Sequence, residues 1–297
     1  MKPISRLILL SGVSMVVLLL SSGCETVSQV GATVGEATGV LTPEEAASIR
    51  RTYKDLAPEQ EYFIGRSVSA TILESYSVWD QPEATTYINL LGQALALASD
   101  RPETFGGYRF LVLDSDEINA FAAPGGYIFV SRGMLALCTS EDELAAVLAH
   151  EIGHVQHQHG LQAIRTARIT SAFSIGAFAA ARTLGSEDVR QLTEVFGGTI
   201  EDVTHTLTTS GYSRRAEREA DAAAVQILRR IGYDPHALIR MLQHMDQQLK
   251  PGRLDFARTH PPPQDRIRDI QRLVRSVPPV EIPRVRQTRF EQALRAL

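Results

Sequence analysis

Cysteine is almost absent from this 297-residue chain, which holds only Cys24 and Cys138. Two thiols exclude a disulfide-stapled scaffold and a four-cysteine zinc ribbon. Aromatic residues make up only 6%, and tryptophan occurs once. Ala and Leu are plentiful instead, a balance that leans towards helix. Charge of one sign is also lacking. The net of −4 gives no clustered positive surface, so no nucleic-acid partner is expected. No repeat of solenoid length occurs, which excludes an appended repeat array. What remains, 44% hydrophobic and 22% charged residues, excludes wholesale disorder, and the length suits one large domain or two small ones.

Lys2 and Arg6 precede an apolar stretch from Leu7 to Leu20, and Ser21-Ser22-Gly23-Cys24 follows. A basic start, an apolar middle shorter than the ~20 residues of a spanning helix, and small residues at the end mark residues 1–23 as a secretory signal. The end of this segment resembles a bacterial lipobox in which Cys24 carries the lipid. Ser21 stands where such boxes usually have Leu, with Leu20 one place further back. Glu25 rather than Asp follows the cysteine, so the periplasmic face of the outer membrane is the expected location. Residues 24–41 are rich in Gly, Thr, Val and Ser and read as a tether. Cys138 is then most simply a small buried apolar residue.

Beyond the tether, one main domain is expected over residues 42–277. Pro43, Pro58 and Pro82 mark helix starts. Tyr108–Leu113 and Tyr127–Val130 read as short strands, and Asn119–Ala123 as a third, with Pro124-Gly125-Gly126 as a turn. Ser140 and Glu143 are spaced as a capping box, and the helix they open is expected to run to His159, with Gly160 stopping it. Further helices are expected over 161–183, 187–208, 213–231, 234–249 and 262–275. The apolar segment 172–181 is too short to span a bilayer and reads as a buried or surface-lying helix. Pro278, Pro279 and Pro283 break a C-terminal tail, 278–297, before a short last helix. The fold class expected is α+β, mainly helical, with one small sheet.

The chemistry concentrates in His150-Glu151-Ile152-Gly153-His154. On a helix, residues four apart lie on one face, so two imidazoles there can share one zinc ion. Glu151, one step round, can take a proton from water at the open metal position. Three fixed residues also arise by chance in unrelated helices. Against chance, Leu144, Val147, Leu148, Ile152 and Val155 give this helix a core face, and burying two histidines and a glutamate without a partner is costly.

A zinc site needs a third protein ligand. Gly160 occupies the place where a metzincin would have its third His. His157 and His159 lie too near on a continuing helix to join the same ion, and read as polar residues of its last turn. Glu217 is the better candidate. Asp221 lies four residues on and shares its helix face, where it can accept the second ring N–H of a zinc-bound His. The bland alternative is a solvated charged helix with Glu–Arg pairs, and Glu219 fits that alternative.

Taken with three further segments, this motif resembles the gluzincin peptidase family that includes HtpX, the CAAX prenyl protease, BepA and LoiP. The likeness spans about residues 60–275. Its segments are Asn119 to Ile128, His150 to His159, Arg214 to Asp221 (R-x-x-E-x-x-A-D) and Thr259 to Arg266 (H-P-x-x-x-x-R). A lipid anchor without a repeat array is a likeness to the lipoprotein LoiP within that family. The resemblance implies a zincin-like domain with its small sheet beside the metal helix. It implies His150, His154 and Glu217 as ligands of one Zn²⁺, Glu151 as general base and Asp221 as support. His260 and Arg266 would lie near the cleft, steadying the oxyanion or covering the metal. Asn119, Ala120, Gly125 and Gly126 would bind substrate as an added strand.

The function expected is a zinc endopeptidase acting on misfolded or misassembled envelope proteins. The outer-membrane assembly machinery is a partner on family likeness alone. The alternative is a periplasmic holdase that does not cut, with a structural or latent zinc site closed by His260. A membrane-surface scaffold built on the apolar segment has least support.

Overall fold

The computed structural model describes residues 57–163, 204–248 and 260–297, with isolated positions at 33, 36, 37, 42 and 43. The signal, Cys24, nearly all of the tether, the helices expected over 161–183 and 187–208 for most of their length, and the apolar segment 172–181 lie outside the described residues. Ala57–Ala163 and Ile200–Leu297 form one compact unit.

The unit opens with α1 (Pro58–Ser75) and α2 (Pro82–Leu97), each begun by a proline in its first turn. Strands β1 (Arg109–Leu113), β2 (Ala120–Ala123) and β3 (Tyr127–Ser131) follow. They form a mixed sheet in the order β1-β3-β2, with β1 parallel and β2 antiparallel to β3. The expected small sheet is therefore present, with β2 at its edge. Glycine is required at the Pro124–Gly126 turn, where Gly125 and Gly126 adopt φ of 78° and 96°. The turn is held from α1: buried Glu61 accepts the Gly125 amide at 3.0 Å and two bonds from Arg101.

A short helix, α3 (Arg132–Leu137), was not expected. Ser131 ends β3 and caps α3 at once, its Oγ accepting from the Met134 amide. The central helix α4 (Glu141–Gln156) starts where the capping spacing puts it, with Ser140 Oγ accepting from the Glu143 amide. Its far end differs. The helix stops at Gln156, and Gln158, at φ 54°, turns the chain in the left-handed region before helical geometry resumes at His159. Gly160 is not the terminator. Its missing side chain leaves room for Pro124, whose Cγ would lie 3.0 Å from an added Cβ.

Helices α5 (Arg214–Arg230) and α6 (Ala237–Gln248) pack on α4, and α7 (Pro263–Val274) packs on both of them. The chain past 277 holds the short last helix expected there. It returns as α8 (Arg284–Ala293), which buries Phe290, with Leu294 just beyond, in the common core. Arg286 and Arg289 of α8 reach the buried Asp142 and Glu141 at the start of α4. Tyr87 and Tyr233 also donate to Glu141, so its buried carboxylate is fully partnered.

Helices α4 and α5 approach each other closely. A Cβ on Gly153 would lie 2.9 Å from the Ala220 carbonyl oxygen, and Ala216, Ala220, Ala223 and Ala224 line the buried face of α5. Gly153→Val is expected to lower stability by about 1–3 kcal/mol through overpacking. An earlier urea midpoint would bear this out, and an unchanged midpoint would contradict the contact.

Candidate metal centre

The close contact at Gly153 sets two polar pairs face to face. His150 and His154 project from α4, Glu217 and Asp221 from α5, and all four are at most 2% exposed. Nε2 of His150 and Nε2 of His154 lie 3.1 Å apart. Glu217 Oε2 is 3.6 Å from the first and Oε1 3.6 Å from the second. His260, just ahead of α7, adds its Nε2 at 3.7 Å from Glu217 Oε1. One donor atom from each of His150, His154, Glu217 and His260 falls within 4.8 Å of the others.

These residues fit a divalent cation. Both oxygens of Glu217 are buried without a hydrogen-bond partner, an expensive state for a carboxyl group. Burial pushes Glu217 well above the ordinary carboxylate range and His154 well below that of imidazole. Burial, and then Arg266, bring His150 down to about 4 despite the pull of Asp221. The two imidazoles are therefore kept neutral with lone pairs to offer, while Glu217 without a cation favours its protonated form. Donors about 2.0–2.1 Å from a tetrahedral ion lie ~3.3–3.4 Å from one another, close to the spacings found. Two or three imidazoles and a carboxylate, with no thiolate, suit zinc and its first-row neighbours better than calcium or magnesium.

Around the donors, Asp221 Oδ1 lies 3.0 Å from His150 Nδ1. Arg266 Nε and Nη2 donate to the two oxygens of the same Asp221, at 3.0 and 2.6 Å. Burial opposes ionisation of Asp221, yet Arg266 and His150 hold it down at about 2. Arg266 thus clamps the carboxylate behind His150, with its Nη1 3.8 Å from Glu217 Oε2. Glu151 is buried beside the cluster. Its Oε1 has no hydrogen-bond partner, and burial raises its pKa to about 8.

The four residues expected to meet substrate sit at and beside the sheet edge, all buried. Asn119 leads into β2, Ala120 opens it, and the turn Thr206–Ser210 packs against that strand. Gly125 and Gly126 shape the turn between β2 and β3. The Gly125 amide is committed to Glu61, so it offers no donor to a bound chain.

Sequence reasoning missed two neighbours of the donors. Tyr212 stacks on the His154 ring, centroids 4.4 Å apart, and its hydroxyl is buried without a hydrogen-bond partner. Nothing in the sequence marks it. His159, read as a polar residue of a last turn, is 1% exposed, and its Nδ1 lies 2.9 Å from His154 Nδ1. That reading assumed a continuing helix. The left-handed turn at Gln158 folds His159 back over His154 instead. Glu219, read as a solvated helix residue, does pair with Arg215 at 2.8 Å but also reaches His159 Nε2 at 3.2 Å.

The model of "Peptidase family M48" matches residues 82–274, more than half of the chain. The chain belongs to peptidase family M48. Membership implies a zincin-like α+β fold, which the sheet and helices match, and a catalytic metal, which the donor cluster could hold. The beta-barrel assembly-enhancing protease of Escherichia coli (strain K12) is 28% identical over 263 residues, covering 86% of this chain and 52% of the relative. The mitochondrial metalloendopeptidase OMA1 of Schizosaccharomyces pombe is 29% identical, covering 75% of this chain and 64% of its own length. Metalloprotease LoiP of Escherichia coli (strain K12) is 30% identical, covering 57% and 60%. The chain spans about half the length of the beta-barrel assembly-enhancing proteases it matches.

Titration of Glu151 gives this M48 site a pH signature in the metal-free protein. Its folded pKa of about 8 exceeds the ordinary 4.5. The stability it contributes is therefore full below the lower value and is lost as pH rises through the higher one. Glu151→Gln removes that loss. In the presence of chelator the variant is expected to melt above the parent at pH 8, with the gap closing as the pH falls to 4.5. A gap independent of pH would contradict the burial of an ionisable group there.

Proposed function

We propose that this chain is a zinc-dependent endopeptidase of the bacterial periplasm that degrades misfolded or misassembled envelope proteins. A lipid on Cys24 would hold it to the outer membrane, and the outer-membrane assembly machinery would be its working partner. The observation that carries the reading is the buried convergence of Glu217 with the His150/His154 pair, beside a Glu151 carboxyl that has an unpartnered oxygen. The names of the relatives, a beta-barrel assembly-enhancing protease among them, favour the same substrate class.

His150, His154 and Glu217 would hold the zinc. When bound, such an ion polarises a carbonyl and lowers the pKa of its water towards ~7. Glu151 would serve as the general base, accepting a proton from the attacking water and passing it to the leaving amine. Asp221 keeps His150 oriented, and Arg266 keeps Asp221 charged and in place. A substrate chain would lie extended along β2, one of the two outer strands of the sheet, and bind mainly through its backbone, which leaves side-chain selectivity loose.

A second reading is favoured by one observation: His260 supplies a fourth donor to the cluster. Four side chains close a zinc site, whereas a catalytic site keeps a position for water. On this reading the protein holds unfolded chains without cutting them, or is latent until His260 withdraws.

The two readings separate experimentally. Glu151→Gln is expected to retain zinc while casein cleavage falls by about 100-fold or more. Cleavage at the parental rate would contradict the assignment of the base. His260→Ala is expected to raise basal cleavage if the site is latent, and an unchanged or lower rate would rule latency out.

A further inference from the structure

We propose that His159 is a positioning residue for the metal centre, orienting His154 by accepting a hydrogen bond from its Nδ1–H while being fixed in turn by Glu219. The inference rests on the metal-site reading above and assigns roles to two residues that it does not use.

An imidazole that gives one nitrogen lone pair to a metal carries its proton on the other nitrogen, and that N–H needs an acceptor. His150 has an ordinary one in Asp221. The group facing Nδ1 of His154 is another imidazole, that of His159, at 2.9 Å. Two ring nitrogens at this distance share one proton, and the surroundings decide where it resides. Nε2 of His154 faces His150 Nε2 and Glu217, so its lone pair belongs on the donor side and its proton on Nδ1. Nδ1 of His159 must then accept. The proton of His159 sits on Nε2, which lies 3.2 Å from Glu219 Oε2, a carboxylate oxygen that can only accept. Glu219 Oε1 accepts in turn from Arg215 Nε at 2.8 Å.

Donation therefore runs one way, from His154 to His159 to Glu219, with Arg215 closing the far end. Exposure rises along the chain: His159 is 1% exposed, the Glu219 side chain 33% and that of Arg215 83%. The backbone is shaped for this contact. Gln158 holds a positive φ of 54°, a conformation non-glycine residues seldom adopt, and it is this turn that swings His159 back. The two histidines are thus supported differently. His150 leans on a buried ion pair, whereas His154 leans on a neutral ring wired to a surface one.

The test is zinc affinity of the full chain, measured by competition with a chromophoric chelator, with the cobalt(II)-loaded absorption spectrum as a second readout. His159→Phe keeps the ring volume but removes the acceptor. It is expected to weaken zinc binding by about 10–100-fold and to alter the cobalt spectrum. His159→Gln keeps an acceptor and is expected to restore most of the affinity. Should His159→Phe fail to fold, Glu219→Ala carries the test, with an expected loss of about 3–10-fold. Parental affinity in His159→Phe or Glu219→Ala would overturn the proposal. So would an equal loss in His159→Phe and His159→Gln. A parent chain that binds no zinc would instead overturn the metal-site reading beneath it.

Discussion

The near-contact of α4 and α5 at Gly153 and Ala220 is the constraint on which the rest of the site depends. Helix pairs usually keep their axes 8–10 Å apart. A glycine on one helix and a run of alanines on the other remove the side chains that would enforce a wider spacing. His150 and His154 on one helix and Glu217 and Asp221 on the other are thereby within reach, as the 3.0 and 3.6 Å separations record. A wider gap would leave two half-sites.

The same closeness creates an electrostatic problem inside the unit. Burial strips water from Glu217 and Glu151 and leaves oxygens of both without hydrogen-bond partners. The protein answers part of it with its own charges: Asp221 and Arg266 neutralise each other behind His150. What is left over is a set of inward-facing lone pairs with one unanswered need, a cation. Stability and chemistry are linked here because the groups that destabilise the metal-free fold are those that would bind and use the ion.

Periodic and motif-bearing features could be read before folding. The spacing His150/His154 with Glu217/Asp221, the strands near Tyr108 and Tyr127, and the starts at Pro58, Pro82 and Ser140 all follow from local rules that a sequence displays directly. What could not be read depended on single dihedral angles or on partners distant in the chain. His159 was misjudged because one non-glycine residue, Gln158, departs from helical geometry. Arg266 could be linked to the cleft only by family likeness, since its partner Asp221 lies 45 residues away. Helix α3 escaped notice because Ser131 serves two elements at once. The packing of the last helix on the main domain could not be read because Arg286 and Arg289 answer acids 144 and 148 residues away.

The central claim is that donors from α4 and α5 converge on a single ion. Crystals of the zinc-soaked chain, with diffraction recorded on both sides of the zinc absorption edge, test it most directly. The account predicts one strong anomalous peak bounded by Nε2 of His150, Nε2 of His154 and the carboxylate of Glu217. A peak elsewhere, or a Glu217 side chain turned away from the ion, would contradict it.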